Sequence, residues 1–200
     1  MKAETFYHIY THANGDENLF RETENYRYFM KRYRHFIPAV ADTYAYCLMP
    51  NHVHFLVRVK SENRIKETLG KLPSVKDPTG FQNLSGLISN QFGKLFNAYA
   101  KAYNKKYNRR GSLFTRAFKR KEIMEDHYLT KIIHYIHANP VHHGFVKKLE
   151  DWKWGSYHAL LSDKPTELER EEIMNWYGDK EHFIEVHQQP IDLKLAKDLE

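Results

Sequence analysis

The sequence predicts an α+β protein in which an antiparallel sheet carries helices packed on one face. Short segments rich in aromatic and β-branched residues alternate with longer segments of helical period. Their order is strand, helix, two strands, helix, strand, helix, which is typical of this fold class. The length of 200 residues is enough for one domain that buries a core of its own, with short additions.

The first half of the chain contains three predicted strands and one helix. Residues 6–12 are aromatic and β-branched and are followed by an Asn-Gly turn, so they predict a strand. Apolar residues spaced three and four apart predict a helix over 22–37. Residues 43–49 and 53–59 predict a β-hairpin around a Pro-Asn-His turn. Residues 61–82 contain two prolines and two glycines and predict a loop with room for one turn of helix.

The second half contains two predicted helices and one strand. Residues 84–107 keep a helical period of apolar side chains over several turns. After a short break, residues 117–124 predict a strand. A third helix is predicted over 127–138, with Asp126 as its N-cap and Pro140 as the residue that ends it.

Charge divides the chain in two. Residues 163–200 carry a net charge of −6, so residues 1–162 carry +12. We therefore expect a main domain over 1–160 and an acidic C-terminal extension over 161–200 that is peripheral and partly helical around 167–177. A basic body with 14% aromatic residues favours nucleic acid as a partner, although a basic domain without such a partner has the same composition.

Other classes of protein fit the sequence poorly. The longest apolar run, residues 44–49, is far shorter than the ~18 residues that a membrane span needs. A single cysteine, Cys47, excludes an intramolecular disulfide framework. The first residues are polar and do not form a secretion signal. We expect a cytoplasmic protein with no membrane partner.

A basic segment follows the second helix. Residues 101–121 carry nine lysines and arginines and no acid, with aromatic residues between them. A solvated face usually mixes charges of both signs, so this segment favours a polyanion over an ordinary surface. The residues that we select as DNA contacts are Lys105, Arg109, Arg110, Arg116, Lys119 and Arg120.

Two histidines lie at the start of the second hairpin strand. Residues i and i+2 of a strand point to the same face, so His52 and His54 project side by side. Two such imidazoles form half of a metal site. With 13 histidines in the chain, the same pattern also arises by chance.

The third helix carries Tyr135 and Asn139 at a spacing of i and i+4, which places both on one face. A phenol and an amide oxygen could therefore meet at one point. Taken alone, these residues are better explained as a core aromatic, Tyr135, and a helix cap before Pro140, Asn139.

Together these motifs resemble a known family. Residues 48–57, LMPNHVHFLV, and residues 134–141, HYIHANPV, resemble the IS200-like single-tyrosine HUH transposases, most closely their REP-associated (RAYT-type) branch. Supporting segments occur in the same order, and the resemblance covers residues 5–160. These segments are YHI at 7–9, RGSLF at 110–114 and WKWGSY at 152–157.

The resemblance implies a ferredoxin-like domain that cuts single-stranded DNA near an imperfect hairpin. His52, His54 and Asn139 would bind a divalent ion, Mg²⁺ or Mn²⁺, which polarises the scissile phosphate. Tyr135 would be the nucleophile and form a 5′-phosphotyrosine bond. Because a phenolate is also a good leaving group, this bond would keep the cut reversible. The resemblance leans towards a monomer over a homodimer.

Two other functions stay open at this point. The first is a non-catalytic or domesticated protein that binds hairpin or single-stranded nucleic acid on the same fold. The second is a zinc hydrolase, for which no third ligand stands at a recognisable spacing. Segment 11–15 also differs from the Arg-Gly that RAYT-type sequences commonly carry near the end of the first strand.

Five further residues near the motifs are weaker candidates. His137 points away from Tyr135 around the helix, so we do not expect it to bind metal. His134 and the pair His142-His143 are expected to be solvated. Tyr128, seven residues before Tyr135, is a second candidate nucleophile.

Overall fold

The computed structural model describes residues 1–70, 84–115, 117–125 and 128–191. Its strands form one antiparallel sheet in the order β2-β3-β1-β4, with β1 and β3 at the centre. None of the described helices is both long and apolar enough to span a membrane. The strands are β1 (Phe6–His12), β2 (Ala41–Met49), β3 (His52–Val59) and β4 (Lys119–Ile123).

Seven helices and one 3₁₀ turn, Leu149–Asp151, accompany the sheet in the described residues. The predicted strands and the first two predicted helices are confirmed, with their ends shifted by a few residues. The helices are α1 (Thr23–Phe36), α2 (Glu62–Gly70), α3 (Leu84–Lys106), α4 (Leu129–His142), α5 (Tyr157–Leu161), α6 (Arg170–Tyr177) and α7 (Lys180–His187).

Helices α1 and α3 pack against each other and cover one face of the sheet. Alternate residues of the central strands, including Ile9, Val53 and Phe55, point into this layer and are fully buried. The period of two along a strand therefore sends the residues between them, such as His8 and His54, to the opposite face. This arrangement confirms the predicted α+β class and the antiparallel, ferredoxin-like sheet, with α1 and α3 packed on this face.

A second helical layer covers the other face. Helix α4 lies across β2 and β3, and α6 and α7 pack on α4. Phe183 and Ile173 from the C-terminal extension are fully buried in this layer. The described part of the extension is therefore not peripheral, because its apolar residues complete the core around α4. The division of the chain near residue 160 stays a prediction.

The segment that was predicted as a loop begins with a helix. Helix α2 runs over Glu62–Gly70 and buries Ile65 and Leu69, which are spaced i and i+4. Residues 71–82, which hold both prolines, lie outside the described residues. The loop prediction was wrong for α2 because residues 61–82 were treated as one segment, and the turn-forming residues in its second part outweighed the helical pattern in its first part.

Pro140 does not end α4, which continues to His142. A proline lacks only its own N–H, so in the last turn it removes one helical hydrogen bond. Its carbonyl accepts hydrogen bonds from the N–H groups of Phe145, at 2.8 Å, and Val146, at 3.3 Å, which close the helix. The predicted N-cap, Asp126, lies outside the described residues, and Tyr128 precedes the helix.

Candidate metal and nucleophile site

Strand pairing collects four histidines on the sheet face below α4. The β1/β3 register sets His12 opposite His52 and Tyr10 opposite His54, and cross-strand neighbours share a face. The rings of His12 and His52 stack at 4.7 Å between centroids, and those of His52 and His54 lie 5.1 Å apart. His8 completes the group through a ring contact with His54 at 5.0 Å.

Helix α4 brings the tyrosine and the asparagine to the same place. The Tyr135 ring meets His54 edge-on at 5.7 Å and His8 edge-on at 5.9 Å. Asn139, one turn further along α4, lies beside His52. The structure thus gathers the four residues predicted for catalysis and metal binding, while their roles remain predictions.

Three polar atoms of this group are buried without a hydrogen-bond partner among the described residues: Nε2 of His52, Nε2 of His54 and Oδ1 of Asn139. The amide of Asn139 donates through Nδ2 to the Tyr135 carbonyl at 3.1 Å, which leaves Oδ1 as the unused end. An unsatisfied buried polar group costs about 1–3 kcal/mol. A cation that all three atoms coordinate would remove this cost.

Burial keeps both candidate ligands neutral. Burial and, to a smaller extent, the nearby His12 and His143 lower the pKa of His52 to about 3. The Asn139 side chain opposes this effect, although the two side chains do not meet in hydrogen-bonding geometry. Burial also holds the pKa of His54 well below its ordinary value. Neutral imidazole is the form that binds metal, so no proton must be displaced near pH 7.

The donor set fits a divalent ion with open coordination positions. Two imidazole nitrogens and one amide oxygen are acceptable ligands for Mg²⁺ or Mn²⁺, which also take oxygen from phosphate and water. Within the described ranges, no three His, Cys, Asp or Glu side chains are placed to hold a metal ion. The third ligand of the predicted set is instead an amide.

Tyr135 is buried in this conformation, with 1% of its surface exposed. A small cavity of about 170 Å³ lies beside it, lined on the far side by Val186, Pro190 and Ile191. The end of α7 and the residues after it therefore cover the tyrosine.

The neighbouring histidines behave differently from one another. His137 hydrogen-bonds to His187 at 2.8 Å and to Ser156 at 2.7 Å on the side of α4 away from the site, as expected of a residue that does not bind metal. His142 and His143 are exposed. His134 is buried, so its predicted solvation was wrong: His187 and the Gln189 backbone cover it.

The second candidate nucleophile, Tyr128, precedes α4 and is 37% exposed. The ring contacts between described residues that involve His8, His12, His52 and His54 are made with Tyr10, Tyr135, His143 and one another. Tyr135, by contrast, contacts two of these histidines.

The predicted DNA contacts fall into separate groups. In β4, Lys119 pairs with Tyr10 and Arg120 with Ile9, so Lys119 lies on the site face and Arg120 on the α3 face. Lys119 Nζ lies 5.3 Å from the Tyr10 ring centroid, and Arg120 reaches Ser89 at 3.4 Å. Lys121, which we had not selected, pairs with His8 and shares the site face. Side chains two residues apart in a strand share a face, so the position of Lys119 could have identified Lys121.

Arg109 is held within the fold. It donates to Glu17 Oε1 at 3.0 Å and to the Ser112 carbonyl at 2.9 Å, which ties the loop after α3. Lys105 and Arg110 are exposed, and Arg116 lies outside the described residues.

Comparison with known proteins gives a sequence relative and a fold neighbour. No family model matches the chain. A curated protein of Haemophilus influenzae named "Putative REP-associated tyrosine transposase" is 29% identical over 117 residues. The match spans 58% of this chain and 59% of that protein, which is less than two thirds of its length.

The fold neighbour is a solved structure of a REP-associated tyrosine transposase bound to a REP hairpin. It superposes with a TM-score of 0.57 over 82% of this chain and 84% of the other, at 16% sequence identity. That likeness concerns the fold. The sequence match and the shared fold make this chain similar to REP-associated tyrosine transposases, the proteins that its two motifs resemble.

Proposed function

We propose that the protein is a metal-dependent enzyme that cuts and rejoins single-stranded DNA next to a hairpin through a 5′-phosphotyrosine intermediate. Tyr135 is the nucleophile, and His52, His54 and Asn139 hold the metal ion. The hairpin substrate is inferred from the fold neighbour, which binds a REP hairpin.

One observation carries this proposal. Among the described residues, Nε2 of His52, Nε2 of His54 and Oδ1 of Asn139 are buried without a hydrogen-bond partner, and they belong to the three side chains that the family motifs predict as ligands. A protein that only binds DNA gains nothing from these three unsatisfied groups, each of which costs stability. A divalent ion bound by them would act as a Lewis acid on the scissile phosphate.

The chain's own groups carry the transfer step. The Tyr135 oxygen attacks phosphorus, a new bond joins the phenol oxygen to the 5′-phosphate, and the bond to the 3′-oxygen breaks. The phenol proton passes to solvent, and the departing 3′-oxygen takes up a proton. Attack by a 3′-hydroxyl on the phosphotyrosine reverses these changes and rejoins a strand.

The site face offers a path for the DNA backbone. Lys119 and Lys121 lie on the same face as Tyr10 and His8 and would neutralise phosphates on either side of the scissile bond. The exposed Lys105 and Arg110 extend positive charge towards the end of α3. Arg109 orders the loop after α3 and is not needed as a direct contact with DNA.

Binding without cleavage is the second candidate function, and the burial of Tyr135 favours it. To cut DNA, the tyrosine must become accessible, so the residues that line its cavity have to move when substrate binds. A binding protein would need no such movement.

A covalent adduct separates the two functions. The full chain is incubated with end-labelled, hairpin-containing single strands from its own genomic flanks, with Mn²⁺ or with EDTA, and run on a denaturing gel. We expect a slow band for the wild type with Mn²⁺ and none for Tyr135→Phe. If all strands bind with steep salt dependence and none forms an adduct, the binding function replaces the enzymatic one.

A further inference from the structure

Each candidate histidine ligand is held through its other ring nitrogen. His52 Nδ1 lies 2.7 Å from Asn51 Oδ1, and His54 Nδ1 lies 2.8 Å from His8 Nε2. In both rings, Nε2 is buried and has no hydrogen-bond partner within the part of the chain that the structure describes. In both rings, Nε2 therefore faces the site and Nδ1 makes the supporting hydrogen bond.

Asn51 determines the tautomer of His52. An amide oxygen only accepts, so the hydrogen bond requires the proton on Nδ1 of His52. A neutral imidazole has one proton, and Nε2 then carries a lone pair. This is the tautomer that can coordinate an ion through Nε2.

His8 can determine the tautomer of His54 in a similar way. Two arrangements of the pair are possible, because either ring can donate. If His54 donates from Nδ1 to Nε2 of His8, the lone pair of His54 faces the site. If His8 donates instead, Nε2 of His54 carries the proton and cannot bind metal. Metal binding therefore selects the first arrangement, in which His8 is the acceptor.

Packing alone does not explain His8. It is fully buried in the central strand β1, and its Nδ1 has no hydrogen-bond partner among the described residues. When His8 accepts from His54, this Nδ1 holds a buried proton that is not hydrogen-bonded. An apolar ring at this position would avoid that cost.

We propose that His8 and Asn51 are positioning residues that fix the metal-binding tautomers and ring orientations of His54 and His52. This inference rests on the proposed metal site and adds the residues that prepare it. Partners of this kind commonly change metal affinity by about 10–100-fold when they are removed.

Metal binding to the full chain, measured without DNA, tests this role. Mn²⁺ is titrated into metal-stripped protein by calorimetry, and free Mn²⁺ is followed by electron paramagnetic resonance. We expect His8→Phe and Asn51→Leu to weaken Mn²⁺ binding by about 10–100-fold. His8→Gln and Asn51→Asp, which retain an acceptor, should restore affinity to near the wild-type value. Thermal melting shows whether each variant folds.

Nitrogen NMR of histidine supplies a readout that a merely structural role would not change. In the metal-free wild type, His52 should show the Nδ1–H tautomer, and added diamagnetic Mg²⁺ should place His54 in the same form. In His8→Phe, the His54 signals should report a mixture of tautomers or the Nε2–H form.

The outcomes distinguish this inference from the proposed function. If wild type and His54→Ala bind Mn²⁺ equally well, the metal site itself is wrong. If wild type binds, His54→Ala does not, and a folded His8→Phe binds as the wild type does, only the role of His8 is overturned. An unchanged affinity in Asn51→Leu would overturn the role of Asn51 in the same way.

Discussion

Tyr135 lies edge-on to His54, with ring centroids 5.7 Å apart and ring planes at 87°. The two residues come from different layers, α4 and β3, and meet where the second helical layer crosses the sheet. His54 is also bonded to His8 on the neighbouring strand. The predicted nucleophile, a predicted ligand and the residue that supports this ligand are thus in direct contact, and a metal-bound phosphate would enter beside them.

Asn139→Leu tests whether the unsatisfied amide is kept for function. Its Oδ1 has no hydrogen-bond partner in the described ranges, so the substitution removes an unsatisfied buried oxygen together with the one hydrogen bond that Nδ2 donates. Leucine also favours helix more than asparagine does. We expect the free energy of unfolding to change by about 1 kcal/mol or less, while Mn²⁺ binding is lost. Chemical denaturation and calorimetry measure the two effects.

Ser156→Ala is the matched control, because Ser156 is fully buried and its hydroxyl is hydrogen-bonded to Tyr46 and His137. It should destabilise the fold by about 1–3 kcal/mol and leave Mn²⁺ affinity unchanged. The account of Asn139 would be contradicted if Asn139→Leu lost stability as Ser156→Ala does and kept its metal.

Stability should fall as the solution becomes acidic. Burial lowers the pKa of His187 to about 3, an effect that the Phe183 backbone partly opposes. Between pH 6.5 and 3 the unfolded chain therefore binds a proton that the folded protein does not. The free energy of unfolding then drops by up to about 1.4 kcal/mol per pH unit as pH falls through this window.

Urea unfolding at pH 7.5 and 5.5 measures this dependence. His187→Gln should reduce the difference between the two pH values, and substitution of the exposed His182 should not. An equal difference in His187→Gln and the wild type would show that His187 is not the group responsible.

Strand alternation predicts which basic residues contact DNA. Lys119→Gln and Lys121→Gln change the site face and should each weaken binding to single strands and reduce the slope of log affinity against log salt by about 0.7. Arg120→Gln, between them on the α3 face, is the matched control and should have a smaller effect. Fluorescence anisotropy over a range of salt concentrations compares the three, and an Arg120→Gln effect as large as the others would refute the proposed path.

The C-terminal extension should be needed for folding. Phe183→Ala removes a fully buried ring from the layer around α4 and should cost about 3–5 kcal/mol. Glu181→Ala, exposed on the same helix, should cost little. Deletion of residues 163–200 should unfold the protein and so cannot test whether the extension covers the site. Melting curves check these expectations, and a Phe183→Ala variant as stable as the wild type would contradict the packing described.

Local periodicity predicted a large part of the site. The period of two over residues 52–54 placed His52 and His54 on one face, and the i, i+4 spacing placed Asn139 one turn from Tyr135, as the structure has them. The family motifs joined these two segments across a long stretch of chain. The sequence allowed for a buried Tyr135, but it did not indicate which residues cover this side chain, because they lie far along the chain near residues 186–191.

Long-range pairing accounts for what the sequence could not supply. The contact between His8 and His54 depends on the register of β1 against β3, and no pattern within either strand determines that register. The second helical layer was missed because its apolar residues, such as Ile173 and Phe183, are spread through an acidic segment. The net charge of that segment reflects its exposed acidic residues and gives no information on the apolar residues that it buries.

The residue to which DNA becomes attached identifies the nucleophile. The wild-type adduct formed with Mn²⁺ is digested with protease and nuclease, and tandem mass spectrometry locates the residue that carries the nucleotide phosphate. Tyr128→Phe should form the same adduct as the wild type. The account predicts a phosphonucleotide on Tyr135 alone, and an adduct on Tyr128, or one that persists in Tyr135→Phe, would contradict it.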